Sequence, residues 1–269
     1  MSHNHYELHP FFMPAKYGKC FVLEYIPAPE FSNKQSVLII PPFAEENNNS
    51  RKMHSAIARK LANEGFSVFM IDLFGTGDSE GQFIDALWDD WLDNIKLLFE
   101  NHLKQKFIKT NILATRLGVL MLVDLFDNES LFINKCLLLQ PVLKGKTFTK
   151  QLMRTKIAAM AFKGEKCTQN DLQQALEEQG LIEISGYQIS KSMLDKIESK
   201  SINDAFLESI NIITIDTKPK VEDLILLDKQ NSKSNNNKLI SQSPPFWTTT
   251  EYEISEHLVK LIEAALESA

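Results

Sequence analysis

Cysteine is scarce: Cys20, Cys136 and Cys167 are the only three in 269 residues. They are odd in number, widely separated and free of Cys-x-x-Cys spacing. That excludes a disulfide framework and gives no zinc-ligand pattern, so reduced thiols are expected, with Cys136 in the core of an apolar run. Long hydrophobic stretches are missing too. The longest apolar runs, such as Leu117 to Val123, fall far short of the roughly 20 residues needed to span a bilayer. The opening residues, Met1-Ser-His-Asn-His-Tyr-Glu, lack the basic and apolar regions of a signal peptide. A cytoplasmic protein without a membrane span is expected. Positive charge is not in excess either: 29 Lys+Arg against 35 Asp+Glu leave a net charge of -6. No basic run stands out that could neutralise a row of phosphates, which argues against nucleic acid as a partner.

What is present is a core. With 43% hydrophobic residues the chain can bury one large interior, and a single α/β domain over residues 1–269 is the expectation. Apolar runs that read as buried parallel strands alternate with segments of helical period, the pattern of a doubly wound sheet. The strands are predicted at Val37 to Ile40, Ser67 to Ile71, Asn111 to Ala114, Lys135 to Leu139, Ile210 to Ile215 and Lys238 to Ser241. Trp88, Trp91, Leu92, Ile95, Leu98 and Phe99 recur at the spacing of one helix face, which predicts that both tryptophans are buried. Ile254, Leu258, Leu261, Ile262 and Leu266 do the same. About 148–204 breaks the alternation with charged and amide residues, two or three helical patterns and a Gly186-Tyr187 turn. It reads as a helical cap inserted into the fold. Asn231 to Lys238 has almost nothing apolar to bury and reads as a surface loop.

The search for chemistry begins with nucleophiles. Gly77-Asp78-Ser79-Glu80-Gly81 matches G-x-S-x-G, but a nucleophile elbow needs a strand-turn-helix setting to hold its hydroxyl above the sheet. Gln82 to Ala86 do not supply that helix, so Ser79 is expected in a structural turn. The required setting recurs at Ala114-Thr115-Arg116-Leu117-Gly118, which puts Arg116 at the nucleophile position. A guanidinium has no lone pair with which to attack, but beside a helix N-terminus it can hold an anion. The alternative is an internal pair with Glu45 or Glu46. These acids could equally pair with Arg51 or Lys52 on the next helix.

The base is missing from the loop where this architecture carries it, Ser243-Pro244-Pro245-Phe246-Trp247-Thr248. His257 reads as lying about two turns inside the last helix, and His54 and His102 as surface residues. Asp216 is the nearest candidate acid. His3, His5 and His9 could capture a metal, but a disordered segment is the simpler reading, and no metal or cofactor is expected. No residue qualifies as catalytic. Ligand-binding candidates are Arg116, Glu45, Glu46 and Gln140, each at or beyond the C-terminal end of a predicted strand, where open α/β sheets bind ligands.

Several segments together resemble the exosortase A system-associated hydrolases of the second type, within the α/β-hydrolase superfamily. They include Phe11-Phe12-Met13-Pro14, Pro41-Pro42-Phe43-Ala44-Glu45-Glu46-Asn47, Asp72 to Gly81, Arg116-Leu117-Gly118, Gln140-Pro141-Val142-Leu143-Lys144-Gly145-Lys146, Ser185-Gly186-Tyr187 and Pro245-Phe246-Trp247. The resemblance implies an α/β-hydrolase fold in a bacterial protein encoded with exopolysaccharide biosynthesis and exosortase protein sorting, with arginine usual at the elbow. Ala114 departs from the glycine common there. Three functions stay open. One is a protein with an altered site that binds an anionic or acyl small molecule. Another is a hydrolase in which Glu45 or Glu46 activates water and Arg116 stabilises an oxyanion. The third is a non-enzymatic partner of proteins in the export system.

Overall fold

The computed structural model describes residues 5–128, 133–207, 212–220, 231 and 238–267. Six parallel strands form where apolar runs lie: β3 (Gln35–Ile40), β4 (Ser67–Ile71), β5 (Lys109–Thr115), β6 (Ile133–Leu139), β9 (Ile212–Lys218) and β10 (Lys238–Gln242). Each overlaps its predicted position, although residues 210–211 of the predicted strand and 232–237 of the expected loop lie outside the described residues. The full sheet has eight strands in the order β1-β2-β4-β3-β5-β6-β9-β10.

The two further strands, β1 (Tyr6–Ala15) and β2 (Gly18–Pro27), form an antiparallel hairpin at the sheet's edge. They correct the reading of a disordered segment at His5 and His9, whereas His3 lies outside the described residues. His9 sits in β1 with Nδ1 3.3 Å from Glu24 Oε2, and the His5 amide donates to Asn63 Oδ1. Pro10 and Pro14 fit in β1 because an edge strand tolerates proline where outward-facing amides need no ladder partner.

Alternate residues of the central strands pack against opposite layers. Leu38, Ile40, Ile112, Ala114 and Leu138 face the side of α2 (Trp88–Leu98) and α3 (Gly118–Asn128). Val37, Ile39, Leu113, Leu137 and Leu139 face α1 (Glu45–Asn63) and the last helix, Glu256–Glu267. This two-sided burial explains why the strands read as continuous apolar runs instead of alternating ones. Trp88 and Trp91 are buried as the helical spacing predicted, and both indole N–H groups are satisfied, on Asp124 Oδ2 at 2.7 Å and Phe74 O at 2.9 Å.

Between β6 and β9 lie α4 (Gly145–Phe162), α5 (Gln169–Gln179), the hairpin of β7 (Leu181–Ile184) with β8 (Tyr187–Ser190), α6 (Lys191–Glu198) and the single turn α7 (Asp204–Leu207). The hairpin turns at Ser185-Gly186, one residue earlier than read from the sequence. α4 must begin with glycine, since a Cβ at Gly145 would lie 1.7 Å from the Ile197 carbonyl oxygen. No helix among the described residues is long and apolar enough to cross a membrane.

Candidate functional site

β5 ends at Thr115 and α3 begins at Gly118, leaving a two-residue turn in which Arg116 takes φ 53°. A left-handed conformation disfavours a residue with a Cβ, at a cost of about 1–2 kcal/mol, so the surroundings must hold it. They do: the Arg116 N–H donates to Leu139 O at 3.0 Å, and its carbonyl accepts from Val142 N at 3.2 Å and Val119 N at 3.3 Å. Glycine at 118 is required because a Cβ there would approach Pro41 O to 2.6 Å. The turn forms with Ala114 in place of glycine. Ala44, at the N-terminus of α1, has φ 51°, and Gln140, just after β6, has φ 45°. Three strained residues thus sit past the ends of three neighbouring strands, β3, β5 and β6. Backbone strain of this kind concentrates at functional sites, which makes this cluster the candidate.

The Arg116 side chain settles which acid it meets. Nη2 lies 3.0 Å from Glu46 Oε1, and Nε lies 3.3 Å from both carboxylate oxygens. The Trp247 ring covers the guanidinium at 5.1 Å. The two side chains of the pair keep only 13% and 19% of their exposure. Burial pushes the Glu46 carboxyl above its ordinary range, outweighing the attraction and hydrogen bonds from Arg116. The geometry and the shift point in opposite directions because desolvation exceeds the pair's Coulombic gain.

The alternative partners for the acids are otherwise engaged. Arg51 grips Asp72 through two hydrogen bonds of 2.6 and 3.1 Å, and Lys52 donates to Tyr252 O at 2.6 Å. Glu45 accepts from Asn48 Nδ2 at 3.3 Å. Gln140 is used structurally, its Oε1 accepting from Thr217 N at 2.8 Å and Thr217 Oγ1 at 3.1 Å.

Trp247, from the loop after β10, stacks on Arg116, and that loop is tied to α1 by Asn49 Nδ2 donating to Trp247 O at 3.1 Å. His257 corrects its sequence reading. The last helix begins at Glu256, so His257 is in the first turn, where Nδ1 accepts from Gln242 N at 3.2 Å and lies 2.8 Å from Ser241 Oγ. His54 is likewise no surface residue. It is fully buried against Thr115 Oγ1 at 2.9 Å, and burial lowers its pKa to about 3, keeping the ring neutral. Asp216 lies within β9 rather than after it, paired across the sheet with Lys238 at 3.1 Å. Ser79 accepts from Phe21 N at 2.8 Å and donates to Asp72 O at 2.5 Å, which fixes the turn that the sequence suggested.

A cavity of about 240 Å³ opens between this cluster and the β6–β9 segment. Glu45, Glu46, Asn49 and Trp247 line one side, and Leu152, Thr155 of α4 and Ser185 of the hairpin line the other. Arg116 and Gln140 are not among its lining residues; Glu46 belongs to both the cavity and the ion pair. Sequence reasoning missed Trp247 as a member of the site. The absence of histidine from its loop was the available signal, but nothing local showed that the indole would fill the space.

Neither protein-family models nor curated proteins match the sequence. Solved structures do match in fold. Est1E from Butyrivibrio proteoclasticus, in a structure with bound ferulic acid, is 15% identical with a TM-score of 0.58, covering 96% of each chain. The α/β hydrolase domain-containing protein 10 from mouse is 10% identical with a TM-score of 0.59, over 96% of this chain and 98% of that one. An α/β serine hydrolase without a lid from Xanthomonas campestris is 12% identical with a TM-score of 0.55, over 97% and 94%. With its eight-stranded, mostly parallel sheet and its elbow between β5 and α3, this chain has the α/β-hydrolase fold.

Proposed function

We propose that this chain is a catalytically altered α/β-hydrolase-fold protein that binds an acyl ligand with an anionic head. In this reading it is one domain whose segment 148–204 caps the cavity. The observation that carries the reading is Arg116 in the strained elbow, paired with Glu46 and covered by Trp247. A permanent cation cannot attack a carbonyl, and a tryptophan cannot take a proton from a hydroxyl. The cavity walls combine apolar side chains with carboxylates, so an acyl chain fits and an anionic head must displace Glu46 from Arg116. The raised pKa of Glu46 favours that exchange, because the protonated acid gives up the guanidinium more readily.

The biological setting rests on the sequence resemblance. Pro41 to Asn47 and Gln140 to Lys146 resemble the exosortase A system-associated hydrolases, which supports a role in bacterial exopolysaccharide production and exosortase sorting, alongside proteins of that system. Glu46, with its raised pKa, favours a second reading in which it serves as a general base for water.

One experiment separates the two. Short-chain nitrophenyl esters are expected to be left intact, and fluorophosphonate or phenylmethylsulfonyl probes to label no serine. Arg116→Ser is expected to restore no activity, because the loop from Pro244 to Thr248 still carries no histidine. Ester turnover abolished by Glu46→Gln would replace the proposal with the second reading, and labelling of Ser79 would overturn its assignment to a structural turn.

A further inference from the structure

The chain as a whole carries -6, but residues 144–166 hold seven cations, Lys144, Lys146, Lys150, Arg154, Lys156, Lys163 and Lys166, against one acid, Glu165. These cations are spread at helical spacing rather than in a run, so the sequence read linearly did not show them as a patch. On α4 the row of residues four apart reads Lys146, Lys150, Arg154, Ala158 and Phe162, and all five are exposed; at 3.6 residues per turn the row winds about 160° round the helix, crossing its exposed half from Lys146 at one margin to Phe162 at the other. None of the seven cations makes an ion pair among the described residues. At the end of the ridge Phe162 is 94% exposed, beyond Ala158, Ala159 and Ala161, which are exposed as well.

Solvating a basic helix face costs nothing, but leaving a whole phenylalanine ring in water forgoes about 1.5–3 kcal/mol of burial. The two features together have one physical complement, a surface that is anionic at headgroup level and apolar just beneath. An acidic polymer without apolar side chains would satisfy the lysines but not the ring. We infer that α4 docks on an anionic lipid surface, with Lys146, Lys150 and Arg154 among the headgroups and Phe162 inserted below them. Leu152 and Thr155 of the same helix line the cavity, so docking there brings the cavity close to the bilayer. The inference stands whether or not Arg116 binds an anion.

Co-sedimentation with vesicles tests it, using phosphatidylcholine alone and phosphatidylcholine with about one-third phosphatidylglycerol. The chain is expected to bind the anionic vesicles only, and to be released by high salt. Each headgroup-facing cation contributes about fivefold to partitioning, so the combined Lys146→Glu, Lys150→Glu and Arg154→Glu variant is expected to lose about 100-fold or more. Phe162→Ser is expected to weaken binding without removing its salt dependence, and Phe162→Trp to shift its emission to the blue on anionic vesicles. Because every substituted side chain is exposed, unchanged melting temperatures identify these as surface effects. Equal binding to neutral and anionic vesicles, or to neither, would overturn the proposal. So would polyglutamate binding as strong as vesicle binding with Phe162→Ser indifferent, which would make the ridge a site for an acidic protein.

Discussion

Arg116→Ala is expected to lower the stability of the unliganded protein by about 2–4 kcal/mol at neutral pH, measured by urea unfolding. Breaking a fully buried pair costs roughly 3–5 kcal/mol, and the residual exposure of 13% and 19% moderates that figure. The variant leaves the Glu46 carboxylate largely desolvated with no cation beside it. Its pKa, already raised, rises further once the two effects that lower it, both from Arg116, are gone. A raised folded pKa means that the folded state prefers the proton. The penalty is therefore full above the folded pKa and shrinks as pH falls towards the unfolded value of about 4.3. The loss should be distinctly smaller at pH 5 than at pH 8. Glu46→Gln keeps an oxygen for the guanidinium but leaves its permanent charge without a counterion, so it should cost a similar amount without the pH dependence. For Arg116→Ala, a destabilisation independent of pH would mean that the lost stacking on Trp247 dominates instead.

Trp91→Ala is expected to be the more damaging change, at about 3–5 kcal/mol, the usual range for truncating a large buried aromatic. The ring is 1% exposed and meets Phe43 and Phe83 edge-on, each with centroids 5.7 Å apart. Its loss also leaves the Phe74 carbonyl without the indole N–H. Phe43 sits immediately before Ala44 and the two acids, so the cavity created would loosen the loop that presents Glu46. Trp91→Phe should recover most of the stability but not the hydrogen bond. A cost below about 1 kcal/mol in denaturant melts would show that the aromatic layer repacks.

The legible part of this fold was the part with local periodicity. Val37 to Ile40 and Lys135 to Leu139 announce strands because both faces are buried, and Trp88, Trp91 and Ile95 announce a helix because one face is. The elbow was readable for the same reason, since a strand, a two-residue turn and a helix follow one another in the chain. The edge hairpin was not, because Pro10 and Pro14 carry the composition of a loop and only pairing with β2 makes them strand residues. His54 and Trp247 were misread or passed over for another reason. Their environments come from chain segments far away in sequence, Thr115 for one and Arg116 for the other. Glu46 is 70 residues from Arg116, and nothing local distinguishes it from Glu45. Being one residue further along α1 turns it towards the elbow, while Glu45 meets Asn48.

The central claim is that Arg116 has exchanged nucleophile chemistry for the recognition of an anionic head, and calorimetric titration with octanoate and octanol tests it most directly. The account predicts that octanoate binds more tightly than octanol, and, counted per ionised octanoate, more tightly at pH 5 than at pH 8, because protonating Glu46 frees the guanidinium. In Arg116→Ala the preference for the carboxylate should vanish while octanol binding persists. Equal affinity for the two ligands, or a preference for octanoate that survives in Arg116→Ala, would contradict it.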